Sequence, residues 1–205
     1  MMRFAVRQKT GLTRPITCRV TTVAFCLTLA LASLLASRLE ARSHAAEPPP
    51  PHIPIVHATT LSGDAVDLPQ ALNGKTGILI LGFSQHSRDQ VTPWGKRLAA
   101  DYLAAPDILY FEMPILAAVP RLLRPMVLHS LKSSVPDRAQ PHFLPVTENE
   151  SQWRTIAHYT ADHADDAYLL IVGQAGRVLW QTQGTPTDAT YATLKHQVDT
   201  LRSHI

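Results

Sequence analysis

Three apolar runs of strand length punctuate the chain after residue 75. They are residues 77–83 (GILILGF), 107–113 (DILYFEM) and 167–172 (AYLLIV). Continuous runs of this kind suit strands covered on both faces, where alternation is not needed. Before them, 57–61 reads as a first strand, and Ser62-Gly63-Asp64 turns it into a short partner at 65–68. Residues 84–103 read as mostly helical, with Pro93 placed in the first turn or at a kink. The strand–helix–strand order across 77–113 is that of a crossover unit, which demands parallel pairing. Residues 114–133 are apolar with scattered bases and are broken by Pro120 and Pro125, and 135–146 reads as proline-rich loop. A short helix is expected over 149–158, with Asn149 or Ser151 as its cap. Gly173-Gln174-Ala175-Gly176 folds the third run back onto 177–182 as an antiparallel hairpin. Thr187 or Asp188 caps a last helix ending near Arg202.

The N-terminal 45 residues have a different character. Residues 1–19 are basic, and 20–36 (VTTVAFCLTLALASLLA) carry no charge until Arg38. That run lies between a long signal-peptide core and a short membrane span. Ser43-His44-Ala45 offers a cut after Ala45, and retention as a membrane anchor is the alternative. Either way the positive flank stays cytoplasmic and the remainder is exported. Pro48-Pro49-Pro50-Pro51 makes 46–52 a stiff linker, and 53–205 is a single domain of ordinary size.

Charge divides at the same boundary. Arg3, Arg7, Lys9, Arg14, Arg19, Arg38 and Arg42 against Glu40 give the leader +6, so the overall +3 leaves −3 on residues 46–205. A mildly acidic domain lacks the excess of bases that nucleic acid requires, and no nucleic-acid partner is expected. Cys18 and Cys26, the two cysteines of the chain, both fall in the leader.

The element order is that of the thioredoxin fold. It is an α/β class with a mixed central sheet, a parallel βαβ core, a C-terminal hairpin plus helix and an N-terminal extension. In that fold the reactive group sits after the first long core strand, where a helix N-terminus lowers a thiol's pKa. Here the position reads Phe83-Ser84-Gln85-His86-Ser87-Arg88-Asp89-Gln90, without cysteine. The proline expected just before the closing hairpin is replaced by Asp165-Asp166. Thiol–disulfide chemistry therefore has no reactant in the domain.

Ser84, His86, Ser87 and Asp89 supply nucleophile, base and acid types in one stretch. Adjacent residues rarely form a catalytic device, and they read better as cap and first-turn residues. His86, His129, His142, His158 and His163 show no chelate spacing, and the soft ligands preferred by copper(I) are gone. No metal, cofactor or catalytic residue is expected. In the second crossover, Leu116, Val119, Leu123, Val127 and Leu131 recur at helical spacing beside Arg121, Arg124, His129 and Lys132. A crossover helix packed on the sheet is one reading. The other leaves Leu122, Met126 and Leu128 exposed toward a membrane or an apolar partner.

Several stretches together resemble the mitochondrial ATP synthase assembly-factor family. They are LILGFSQHSRDQVTPWGKRL, ILYFEMPIL, VPDRAQPHFLPV and AYLLIVGQAGRVLWQTQGTPT. The motifs are an FS step after the core strand, Trp94 in the next helix, Val135-Pro136 near Arg138, and a closing hairpin with Gly176, Arg177 and Trp180. The resemblance implies a thioredoxin- or peroxiredoxin-like fold without catalytic cysteines, escorting a hydrophobic subunit during assembly of a membrane sector. The expected partner is then a membrane-complex subunit, met near the membrane. The expected contact residues are Ser84, Gln85, His86, Arg88, Trp94, Arg121, Arg124 and Arg138. The leader reads as bacterial export, placing the domain in the periplasm or at the periplasmic face of the inner membrane, with the mitochondrial inner membrane as alternative. Two other classes compete: a cysteine-independent enzyme around His86, and a periplasmic module binding a small ligand in a pocket beside that loop.

Overall fold

A computed structural model of the protein describes residues 50–202; the leader, its cut after Ala45 and most of the linker lie outside the described residues. Strands β1 (Val56–Thr59) and β2 (Ala65–Leu68) form an antiparallel pair. β3 (Thr76–Gly82) leads through α1 (Arg88–Tyr102) to β4 (Ile108–Pro114). Then come α2 (Arg124–Ser134), a 3-10 turn (Asp137–His142) and α3 (Glu150–Ile156). β5 (Ala167–Val172), β6 (Val178–Gln183) and α4 (Asp188–Arg202) close the chain.

The main sheet has the order β4-β3-β5-β6, with β3 parallel to β4 and antiparallel to β5, and β5 antiparallel to β6. Every residue of the two central strands, β3 and β5, is buried. Alternation sorts their side chains between two apolar layers. Ile78, Ile80, Leu169 and Ile171 face α1 and α4, meeting Trp94, Leu98, Leu194 and Val198. Leu79, Leu81, Leu170 and Val172 face the other way, against Leu68, Leu72, Leu144 and Trp153. The continuous apolar runs thus have their physical reason in helices or loops covering both faces.

Irregular chain covers both edges of the sheet. Beyond β4, Leu144 and Val146 donate backbone N–H groups to the Glu112 and Pro114 carbonyls. Beyond β6, the Val178 N–H donates to the Pro51 carbonyl, and His52 bridges to Arg177. Pairing starts within the proline-rich linker. Such covers keep strand edges from pairing with other chains.

Helix ends follow their local chemistry. α4 opens on a reciprocal cap, in which Thr187 Oγ1 accepts from the Thr190 N–H at 3.1 Å and the Thr187 N–H donates to Thr190 Oγ1 at 2.9 Å. Asn149 precedes α3 in left-handed backbone, which asparagine tolerates, and its side chain donates to the Ile55 carbonyl instead of capping. α1 is shorter than the sequence predicts, starting at Arg88, because Ser84–Ser87 forms a turn of its own, and Pro93 lies in the second helical turn.

The crossover follows the second of its two expectations at Leu122 and Met126, which are exposed, but not at Leu128, which is half-buried. α2 contains no buried residue and does not pack on the sheet. Arg124 donates to the Ala117 and Val119 carbonyls, curling the preceding turn, while the buried Gln140 side chain donates to the Lys132 and Val135 carbonyls at the other end. Polar clamps at its two ends hold α2, with half-buried Val127, Leu128 and Leu131 beneath.

Candidate functional site

β3 is interior to the sheet, and the loop that leaves its C-terminal end delivers Ser84–Ser87 to the start of α1. Ser87 is buried; its Oγ donates to the Ser84 carbonyl at 2.7 Å, and its N–H donates to Ser84 Oγ at 3.0 Å. Gly82 has to be glycine here, since a Cβ would run into the Ser87 hydroxyl. Because β5 runs antiparallel to β3, the segment entering β5 arrives at the same end of the sheet. Asp165 and Asp166 lie there. Ser84 Oγ donates to Asp165 at 2.6 Å and Gln90 Nε2 donates to Asp166 at 2.8 Å. Asp166 also holds His163 Nδ1 at 2.9 Å. A polar latch thus ties the turn before α1 to the entry of β5.

The sheet order, the helix rising from β3 and the hairpin-plus-helix ending decide the architecture. The fold is thioredoxin-like. Two solved structures superpose with a TM-score of 0.51. One is BsSco, a member of the Sco family of cytochrome c oxidase assembly proteins, studied for a disulfide switch; it is 16% identical, covering 75% of this chain and 95% of its own. The other is the exposed lipoprotein thioredoxin of Streptococcus pneumoniae, 13% identical over 70% of this chain and 99% of its own. No protein-family model matches the sequence, and no curated protein does.

The eight expected contact residues separate into four groups. Gln85, His86 and Arg88 are exposed at the start of α1, with no side-chain hydrogen bond among the described residues. Arg121 and Arg138 are likewise exposed and unpaired among the described residues, one in the turn before α2 and the other in the 3-10 turn beside β4. Ser84 and Arg124 serve the fold through the bonds given above. Trp94 requires correction as a contact residue. It is fully buried, and its Nε1 donates to the Gly184 carbonyl at 2.7 Å.

His86 and Asp89 do not converge on a concave site. Both are exposed, and no third group orients the imidazole among the described residues. No cluster of three metal-ligating side chains occurs among the described residues. An open groove of about 220 Å³ lies between β1, Leu128 of α2 and residues 145–148, and no residue of the His86 loop lines it.

Two features escaped the sequence reading. One is the service of Asp165 and Asp166 as acceptors for the loop, which the sequence marks only by the missing proline. The other is Glu112, a lone acid within β4. It is 7% exposed and turned toward α1, where its carboxyl lies so close to Gly95 that no Cβ would fit. It has no side-chain hydrogen bond among the described residues, and burial pushes its carboxyl up to about 8. Nearby Tyr110, raised to about 12 by burial first and by Glu112 second, stacks on His142 with ring centroids 4.1 Å apart. A single glutamate in DILYFEM was the available signal.

The latch makes a direct prediction. Ser84→Ala removes one acceptor and one donor, lowering unfolding free energy by about 1–2 kcal/mol. Urea denaturation of the variant checks this, and Ser87→Ala, which loses only one bond, costs less.

Proposed function

We propose that this chain is an exported protein whose thioredoxin-like domain, without cysteine, binds a subunit of a membrane complex non-covalently and assists its assembly. The observation that carries the reading is the chemistry of the loop before α1. Where this fold places a reactive thiol, Ser84 is held by Asp165 and Ser87 by the Ser84 carbonyl, and residues 46–205 contain no cysteine. Gln85, His86 and Arg88 remain free to make contacts on the rim. Arg88 opens α1, where the helix dipole disfavours a cation, so its charge is better explained by a partner than by the helix.

Further support comes from the resemblance to the ATP synthase assembly-factor family and from the Sco neighbour, itself named as a member of a family of oxidase assembly proteins. The basic and apolar leader supports export, to the periplasm or the periplasmic face of the inner membrane. A hydrolytic site at His86 gains no support from its surroundings, and a ligand module gains none from the groove.

The test uses the full chain with Cys18→Ser and Cys26→Ser, purified from detergent-solubilised membranes. One defined membrane-complex subunit is expected to co-purify, unaffected by reductant. Adding Gln85→Ala, His86→Ala and Arg88→Ala lowers recovery about tenfold, equivalent to losing roughly 1.4 kcal/mol. Recovery of no specific membrane subunit overturns the proposal.

A further inference from the structure

The turn before α2 and its first helical turn present apolar side chains to solvent. Leu122 is 93% exposed, Met126 64% and Leu123 47%. Leu122 and Met126 are four residues apart, which places them on one side of the helix entry. A helix without a fully buried residue derives little stability from its own domain, and this one is held by polar clamps at its ends and by half-buried Val127, Leu128 and Leu131.

The stretch that carries this knob is basic in sequence, although Glu148 lines the groove beside Leu128 of α2. Between residues 113 and 147, Arg121, Arg124, Lys132 and Arg138 stand against Asp137 alone, giving +3 on a domain whose total is −3. The remainder of the domain is therefore −6. A second copy of the same knob is disfavoured, because it would bring like charges together. An apolar tip with a basic collar fits an anionic bilayer, with the side chains among the acyl boundary and the bases at the headgroups. The path of the chain agrees. Thirteen residues separate the end of the apolar run at Ala36 from Pro50, where the described domain begins, and they span at most about 50 Å. If the leader is retained, the domain stays within that distance of the membrane.

We infer that the 117–126 tip inserts Leu122, Leu123 and Met126 into the interface of an anionic lipid surface, steered by Arg121 and Lys132. The inference does not rest on the proposed client. One tip of this size gives reversible adhesion rather than an anchor.

The experiment uses the full chain with Cys18→Ser and Cys26→Ser, carrying either Leu122→Cys or Thr193→Cys. The second position is exposed on α4 and reports the opposite outcome. Each cysteine is labelled with an NBD fluorophore, and the protein is reconstituted into vesicles of phosphatidylglycerol and phosphatidylcholine or of phosphatidylcholine alone. For outward-facing molecules on anionic vesicles, dithionite should reduce the label at 122 about tenfold more slowly than at 193, as expected for burial in the interface. Neutral vesicles, or Arg121→Glu with Lys132→Glu, should remove most of that protection. Equal rates at the two positions on anionic vesicles overturn the inference, as does equal protection on neutral lipid. Protection that appears only after solubilised membrane proteins are added also overturns it, because a polypeptide then covers the tip. Leu122 is too exposed for its replacement to leave a cavity, so folding does not confound the reading.

Discussion

Glu112→Gln is expected to flatten the domain's stability across pH 5 to 8 and to make the variant the more stable protein at pH 9. In the folded state the Glu112 carboxyl is buried between β4 and α1 and titrates at about 8, against an ordinary value of 4.5. Between those two values the unfolded chain has released the proton while the folded chain keeps it. The folded state then binds more protons, so stability falls as pH rises. Below about 4.5 both states are protonated and nothing is lost; above about 8 both are ionised and the loss is complete, on the order of 5 kcal/mol. Glutamine is neutral throughout and nearly isosteric, so this contribution disappears. Urea titrations of both proteins at several pH values check it. Parallel curves that differ by a constant would show that Glu112 does not titrate in this window.

The second large effect belongs to Trp94. Its side chain fills the layer between α1 and the sheet, with Tyr191 of α4 at 6.1 Å between ring centroids. Its indole N–H reaches the Gly184 carbonyl, just past β6, tying three elements together. Trp94→Ala is expected to lower unfolding free energy by about 3–5 kcal/mol. Trp94→Phe should lose less, keeping most of the volume but leaving that carbonyl without its donor. Denaturant unfolding followed by far-ultraviolet circular dichroism measures both. A residue serving mainly as a contact surface would behave differently, with stability unchanged and partner recovery lost.

What sequence reveals here follows the range of the interactions. The runs GILILGF and AYLLIV were legible as central strands because double-sided burial leaves an unbroken apolar signature. The turn at 173–176 and the Thr187 cap were legible because their chemistry is local. The Ser84–Asp165 bond joins residues far apart in the chain, and no local pattern announces it. The resemblance suggested contact at Trp94, while its residue type suited a core aromatic, and the structure buries it. The spacing of Val119, Leu123, Val127 and Leu131 allowed a packed helix, with exposed Leu122 and Met126 as the other reading. Pro120, Pro125 and the Arg124 bonds to the Ala117 and Val119 carbonyls turn the chain outward and leave Leu122 and Met126 in water.

The proposed function leaves only non-covalent contact surfaces, with Ser84 and Ser87 hydrogen-bonded at the start of α1. Photo-crosslinking in intact cells addresses that most directly. The crosslinker replaces Gln85 in one chain and Thr193 in another, both lacking Cys18 and Cys26. The Gln85 position is expected to capture one membrane-complex subunit, in an adduct that survives reductant, and the Thr193 position to capture none. Capture that requires the cysteines and dissolves on reduction, or no membrane subunit at Gln85, would contradict the proposed function.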